Sequence, residues 1–174
     1  MTKLTFTLII IALAAVQASS QWKKDDNRVG DSPDRKSSNG FGAQFLVVKD
    51  PQNLIQEWLK PKQPNIKTAT KVNQGETLGA LVLFAGCKTD DSGKCNTEVD
   101  YTLSKPDGSV LARRVGQPLW KEAPPPPPNI QLGRAILAFQ INQKFPEGEY
   151  KVTAKVTDLN AGVSLDLETK FTVK

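Results

Sequence analysis

Histidine is absent from this chain of 174 residues. The commonest general base and one of the two usual zinc ligands are therefore missing. Cysteine occurs only at Cys87 and Cys95, and two thiolates alone make a poor start on a four-ligand zinc site. Seven residues separate the two cysteines, which is not the Cys-x-x-Cys spacing of a redox pair. No cysteine stands near the N-terminus, so a lipid attached there through cysteine is excluded. Basic residues are not gathered into a stripe. Lys49, Lys60, Lys62, Lys67, Lys71, Arg113, Arg114 and Lys121 are scattered among acids, so nucleic-acid binding is not expected. Long apolar runs are also scarce, and the one at the N-terminus is too short to span a bilayer.

That run is Leu4 to Val16, uncharged and preceded by Lys3. It falls short of the roughly 20 residues a spanning helix needs. Val16-Gln17-Ala18 presents small residues where a signal peptidase reads. Residues 1–18 are read as a secretory signal peptide cleaved after Ala18, with an uncleaved anchor as the competing reading. A periplasmic or secreted location follows, with no integral membrane segment after cleavage. Loss of Lys3 lowers the net charge from +5 to +4. That mild basicity favours acidic surfaces only weakly. An even pair of cysteines in an exported chain reads as a disulfide, so Cys87 is expected to bond Cys95.

Residues 19–42 are polar and charged, with Lys23-Lys24-Asp25-Asp26 and Ser37-Ser38-Asn39-Gly40. So little apolar surface cannot offset ordering entropy, and a disordered leader carrying a lone Trp22 is expected. The domain proper is placed at 43–174. Phe45-Leu46-Val47-Val48 reads as a short strand. Asp50 then caps a helix with Pro51 at its first position, Leu54, Ile55, Trp58 and Leu59 share one face, and Pro61 stops it.

From Ile66 onward the pattern predicts seven strands: 66–72, 77–85, 97–104, 109–113, 131–141, 149–157 and 163–173. The last two carry the clearest signal. Tyr150, Val152, Ala154 and Val156 alternate with Glu149, Lys151, Thr153 and Lys155, and Val163 to Val173 resumes the alternation after Asp158–Gly162. Period two means one face in a core and one in water. The stretch Thr77 to Gly86 is instead apolar on both sides, which implies cover on both faces. The Trp58 helix is the nearest segment that could supply the second cover. Lys105-Pro106-Asp107-Gly108 is a turn, and 115–129 reads as irregular, since the prolines from Pro124 to Pro128 favour polyproline II.

The segment Pro146-Glu147-Gly148-Glu149-Tyr150-Lys151-Val152 resembles the tyrosine corner of immunoglobulin-like domains, where a tyrosine opens the penultimate strand. Antibody domains carry cysteine two residues later; Val152 stands here, so their inter-sheet disulfide has no counterpart. Similar patterns occur in fibronectin-type and macroglobulin-type modules. The resemblance implies an all-β, Ig-like antiparallel sandwich of about seven strands with one short N-terminal helix, and it implies topology rather than activity.

Catalysis has little to work with. Ser104-Lys105 lies at a turn and its side chains point to opposite faces. Glu98, Asp100, Asp158 and Asp166 sit at outward positions or strand ends, where solvated carboxylates are expected. Asp90, Asp91 and Glu98 lack the EF-hand spacing. No catalytic residue, metal or cofactor is assigned. The candidate contact residues are Trp58 and the stretch holding Leu119, Trp120, Pro124, Pro125, Pro126, Pro127 and Pro128, a pre-extended apolar loop that suits docking. Core cover remains the competing role for both tryptophans. The functional expectation is a non-enzymatic module that binds a protein partner in the cell envelope or extracellular space. A subunit of a surface fibre or adhesin and a carbohydrate-binding module are the alternatives.

Overall fold

The computed structural model describes residues 23–24, 27–62, 64–126 and 130–174. Its elements in chain order are β1 (Lys23–Lys24), β2 (Asn27–Arg28), β3 (Arg35–Ser38), β4 (Phe41–Lys49), α1 (Pro51–Trp58), β5 (Lys71–Val72), β6 (Thr77–Ala85), β7 (Thr97–Ser104), β8 (Val110–Trp120), β9 (Gln131–Gln140), β10 (Gly148–Asp158) and β11 (Val163–Val173). β1 and β2 pair with each other; the rest form a five-stranded sheet in the order β5-β11-β10-β7-β8 and a four-stranded sheet in the order β3-β4-β6-β9. The proposed signal peptide, Trp22, Pro127 and Pro128 lie outside the described residues.

The alternation in β10 and β11 becomes an unbroken antiparallel ladder from Gly148↔Val173 to Asp158↔Val163. Tyr150, Val152, Ala154, Val156, Leu165, Leu167, Phe171 and Val173 are buried on the inner face. On the outer face Lys170 meets Glu149 at 2.9 Å and Lys151 meets Glu168 at 3.7 Å. The inner face packs against Phe45, Val47, Leu78, Ala80, Val82 and Phe84 of the other sheet, so the two sheets enclose one core. Tyr101 of β7 ties them together by donating its hydroxyl to the Ala135 carbonyl of β9 at 2.8 Å. The hydroxyl of Tyr150 donates to the carbonyl of Pro146, four residues upstream, at 2.9 Å.

β6 is buried on both sides, as its composition demands. Leu78, Ala80, Val82 and Phe84 face the main core, while Leu81 and Leu83 join Leu46, Val48, Leu54 and Leu132 in a second cluster. α1 covers that second face. Asp50 caps it by accepting from the Asn53 backbone amide at 3.1 Å, and Pro51 takes the first turn. Gly79 lets the helix seat closely, because a Cβ there would stand 2.5 Å from Cβ of Pro51.

Three expectations are corrected. The leader 19–42 is not disordered throughout: β3 lies within it, Phe41 is fully buried, and the Pro33 carbonyl accepts from Glu168 of β11 at 2.7 Å. Local polarity hid partners supplied by distant strands. The strand expected at 66–72 shrinks to Lys71–Val72 because this segment changes sheets. Ala69 donates to Val47 of β4 at 2.7 Å, and Thr70 then accepts from Thr172 of β11 at 2.9 Å. Finally, the strand expected at 109–113 runs on to Trp120 through residues expected to be irregular. β8 is an edge strand, mostly exposed on both faces, so it shows no period of two. Three register shifts against β7 disturb its pairing further, and Pro118 is tolerated at such an edge.

Candidate binding cleft

Trp58, at the end of α1, and Trp120, at the end of β8, come from segments far apart in sequence, yet they line one cleft of about 330 Å³. Ile55, Leu59, Leu132 and Ile136 supply its apolar walls, and Gln131 and Arg134 its polar edge. Leu59 is the most exposed large apolar side chain among the described residues, at 76%. The helix creates this placement: its apolar face is wider than the second cluster can cover, so Leu54 is buried while Ile55 and Trp58 are left half-covered and Leu59 open.

Trp120 is firmly held. Its ring packs on Phe84 at 5.9 Å between centroids, and the Arg134 guanidinium lies 5.0 Å above the ring. Its indole Nε1 donates to the Ala123 carbonyl at 3.0 Å, and its own carbonyl accepts from the Thr97 hydroxyl at 3.3 Å. Arg134 is in turn paired with Glu122 at 2.7 Å. Trp120 thus closes a strand rather than riding on a free loop. Leu119 is fully buried, which corrects its assignment as a contact residue: it points into the core against Gly133, where a Cβ would come 2.2 Å from its Cδ1. Pro124 and Pro126 are exposed and Pro125 is half-buried. They leave from the rim of the cleft, just after the Ala123 carbonyl that Trp120 holds.

The disulfide lies against the turn of the β10–β11 hairpin, at the same end of the sheet as Trp120. Cys87 and Cys95 are bonded and buried. Asp158 is also fully buried, against the expectation of a solvated carboxylate at a strand end. Its Oδ2 accepts from the Lys88 amide at 2.7 Å, and its Oδ1 accepts from Asn160 and Ala161 amides at 3.1 and 3.2 Å. The Asn160 side-chain amide donates to the carbonyls of Lys88 and Lys94 at 2.9 and 3.0 Å. The hairpin turn therefore grips the disulfide loop from both sides. Nothing in the local sequence announced this, since Asp-x-Asn in a turn usually satisfies its own backbone.

The remaining carboxylates serve turns. Asp90 accepts from the Lys94 amide and from the Ser92 hydroxyl and amide, and these bonds hold its carboxyl below the usual range. The Ser109 hydroxyl and amide do the same for Asp107. Lys49, followed by the Asn73 amide, lowers Glu76. Burial raises Tyr101. None of these shifted groups lines the cleft. Among the described residues no cluster of histidine, cysteine and carboxylate side chains could hold a metal, and no helix is long and apolar enough to cross a membrane.

No family model matches the chain, and no curated protein matches it. Solved structures give faint likenesses. A family 123 glycoside hydrolase from Clostridium perfringens aligns at 13% identity and a TM-score of 0.43, over 78% of this chain and 27% of that one. An alkylpurine DNA glycosylase from Pseudomonas fluorescens, bound to DNA with an abasic site analog, aligns at 14% and 0.40, over 76% and 30%. A CARDB domain from Pyrococcus furiosus, in complex with di-metal ions, aligns at 14% and 0.34, over 76% and 89%. This chain thus spans less than a third of the first two proteins. Likenesses of this strength carry no argument about activity or ligand.

Proposed function

We propose that this chain is an exported, non-enzymatic module of the immunoglobulin-like class that binds a protein partner through the cleft between α1 and β9. The observation that carries the reading is the convergence of Trp58 and Trp120 on one open apolar cleft beside an exposed Leu59. Tryptophans in such settings are typical hot-spot anchors, and a rigidly held one costs little entropy on association. The tyrosine-corner hydrogen bond and the order of the strands support the fold class. The disulfide and the apolar N-terminal segment support export to the periplasm or beyond.

The alternatives fare less well. Arg134 already lies over the ring of Trp120, so a sugar would have to displace it to stack there. A fibre subunit that accepts a neighbour's strand needs an open edge. At β8, one of the four edges of the two main sheets, three register shifts disturb the pairing and the carbonyls of Val115 and Arg113 are taken by the side chains of Gln117 and Arg114, which counts against that edge.

Leu59→Asp is the cleanest test, because this side chain belongs to the cleft and to almost nothing else. Chemical crosslinking in envelope extract, quantified against wild type, should show the partner adduct reduced at least tenfold, about 1.4 kcal/mol, while Tm stays within a degree or two. An adduct of unchanged yield would refute the cleft as the contact surface.

A further inference from the structure

We infer that the disulfide loop is a clamp that positions the Trp120 wall of the cleft, so that the shape of the cleft depends on the Cys87–Cys95 bond. The functional consequence rests on the cleft being a contact surface; the mechanical claim does not. Three routes lead from the disulfide to the wall. The Cys95 amide donates to the carbonyl of Glu122 at 2.9 Å, and the carboxylate of Glu122 holds Arg134 over the Trp120 ring. Thr97, two residues beyond Cys95, opens β7 as the ladder partner of Trp120 and bonds its carbonyl. Phe84, three residues before Cys87, packs on the indole.

The clamp also has a fixed base. Asp158 and Asn160 anchor Lys88 and Lys94 to the β10–β11 turn, and Leu159 donates to the Asn96 carbonyl at 2.9 Å. Among the described residues β10 and β11 form the longest regular ladder. Cutting the disulfide leaves that base intact but removes the covalent tie between the two ends of the loop, so that Cys95 is held by hydrogen bonds alone. The Cys95 amide that fixes the Glu122 carbonyl is then less constrained, and so is the carboxylate partner of Arg134. Reduction by a dithiol supplies two electrons and two protons, converting the bond into two thiols while the reagent becomes a disulfide. The buried sulfurs make this slow, so the bond acts as a standing constraint on the oxidised protein.

Hydrogen exchange read by mass spectrometry tests the idea on oxidised protein, dithiol-reduced protein and the Cys87→Ser, Cys95→Ser double variant. Amides over 119–123 and 130–135 should exchange at least tenfold faster in both cleaved forms, while those over 78–84 and 150–156 keep their protection. Faster exchange confined to 87–96 would overturn the inference, because the cleft would then be indifferent to the loop. So would a uniform rise across all strands, which marks global destabilisation rather than a clamp. Neither outcome depends on a partner. A failed Leu59→Asp crosslinking test therefore leaves this result readable, and the converse also holds.

Discussion

Asp158→Asn isolates a buried carboxylate whose work is done entirely through backbone amides. No described cation pairs with it; Lys88, Asn160 and Ala161 present three N–H groups to its two oxygens. A hydrogen bond to an ionised acceptor contributes about 1.5–3 kcal/mol, and an orphaned buried donor costs about 1–3 kcal/mol. Asparagine keeps the shape and one acceptor oxygen. If that oxygen serves Asn160 and Ala161, the new NH₂ faces the Lys88 amide, donor against donor. One charged bond is lost and two become neutral, so the expected cost is about 2–4 kcal/mol. For a domain of this size that lowers Tm by roughly 5–15 °C. Urea unfolding should show the midpoint fall with an unchanged slope, as expected when stability changes and the unfolded state does not. A change below about 0.5 kcal/mol, the scale of a surface substitution, would refute the argument. It would mean that water, not this carboxylate, satisfies the turn.

Trp58→Ala should cost about 1–3 kcal/mol by chemical denaturation, less than the 3–5 kcal/mol of a fully buried tryptophan, because the side chain is only half-buried; a loss beyond 4 kcal/mol would place it in the core instead. Gly79→Ala should cost about 1–3 kcal/mol, since Pro51 leaves no room for the methyl group, and helical content should fall with it; an unaffected circular-dichroism spectrum and midpoint would contradict the close seating of α1. Lys49 and Asn73 hold Glu76 below its ordinary value of 4.5, so its contribution is complete above that value and disappears as pH falls through the lowered one. Glu76→Gln should therefore cost under about 1 kcal/mol at pH 7, with the wild-type advantage gone in acid; an advantage that persists there would exclude the carboxylate as its source.

Where a strong local pattern coincides with local pairing, the chain alone was enough. Alternation over Tyr150–Val156 and Val163–Val173 determined the β10–β11 hairpin and its inner face, because a pleated strand turns successive side chains to opposite sides. Asp50-Pro51 determined where α1 begins, and the doubly apolar Thr77–Ala85 foretold a helix over the outer face of its sheet. The cysteine pair foretold its own bond. Tertiary structure decided the rest, through partners remote in sequence. Residues 31–42 look too polar to fold, yet β4 pairs with Arg35–Ser38, β11 donates an amide to the Pro33 carbonyl, and β6 pairs with Gly42. Residues 66–72 look like one strand, yet two sheets claim its halves. β8 gives no periodic signal because most of it is exposed and three register shifts against β7 break the phase of its few core-facing residues. Asp158 reads as a solvated turn residue until a loop closed by Cys87 and Cys95 is laid over it. Trp58 and Trp120 each carry an ambiguous signal alone; only the packing of α1 across β6 and β9 brings them to one cleft, and no local pattern encodes the distance between two side chains on different elements.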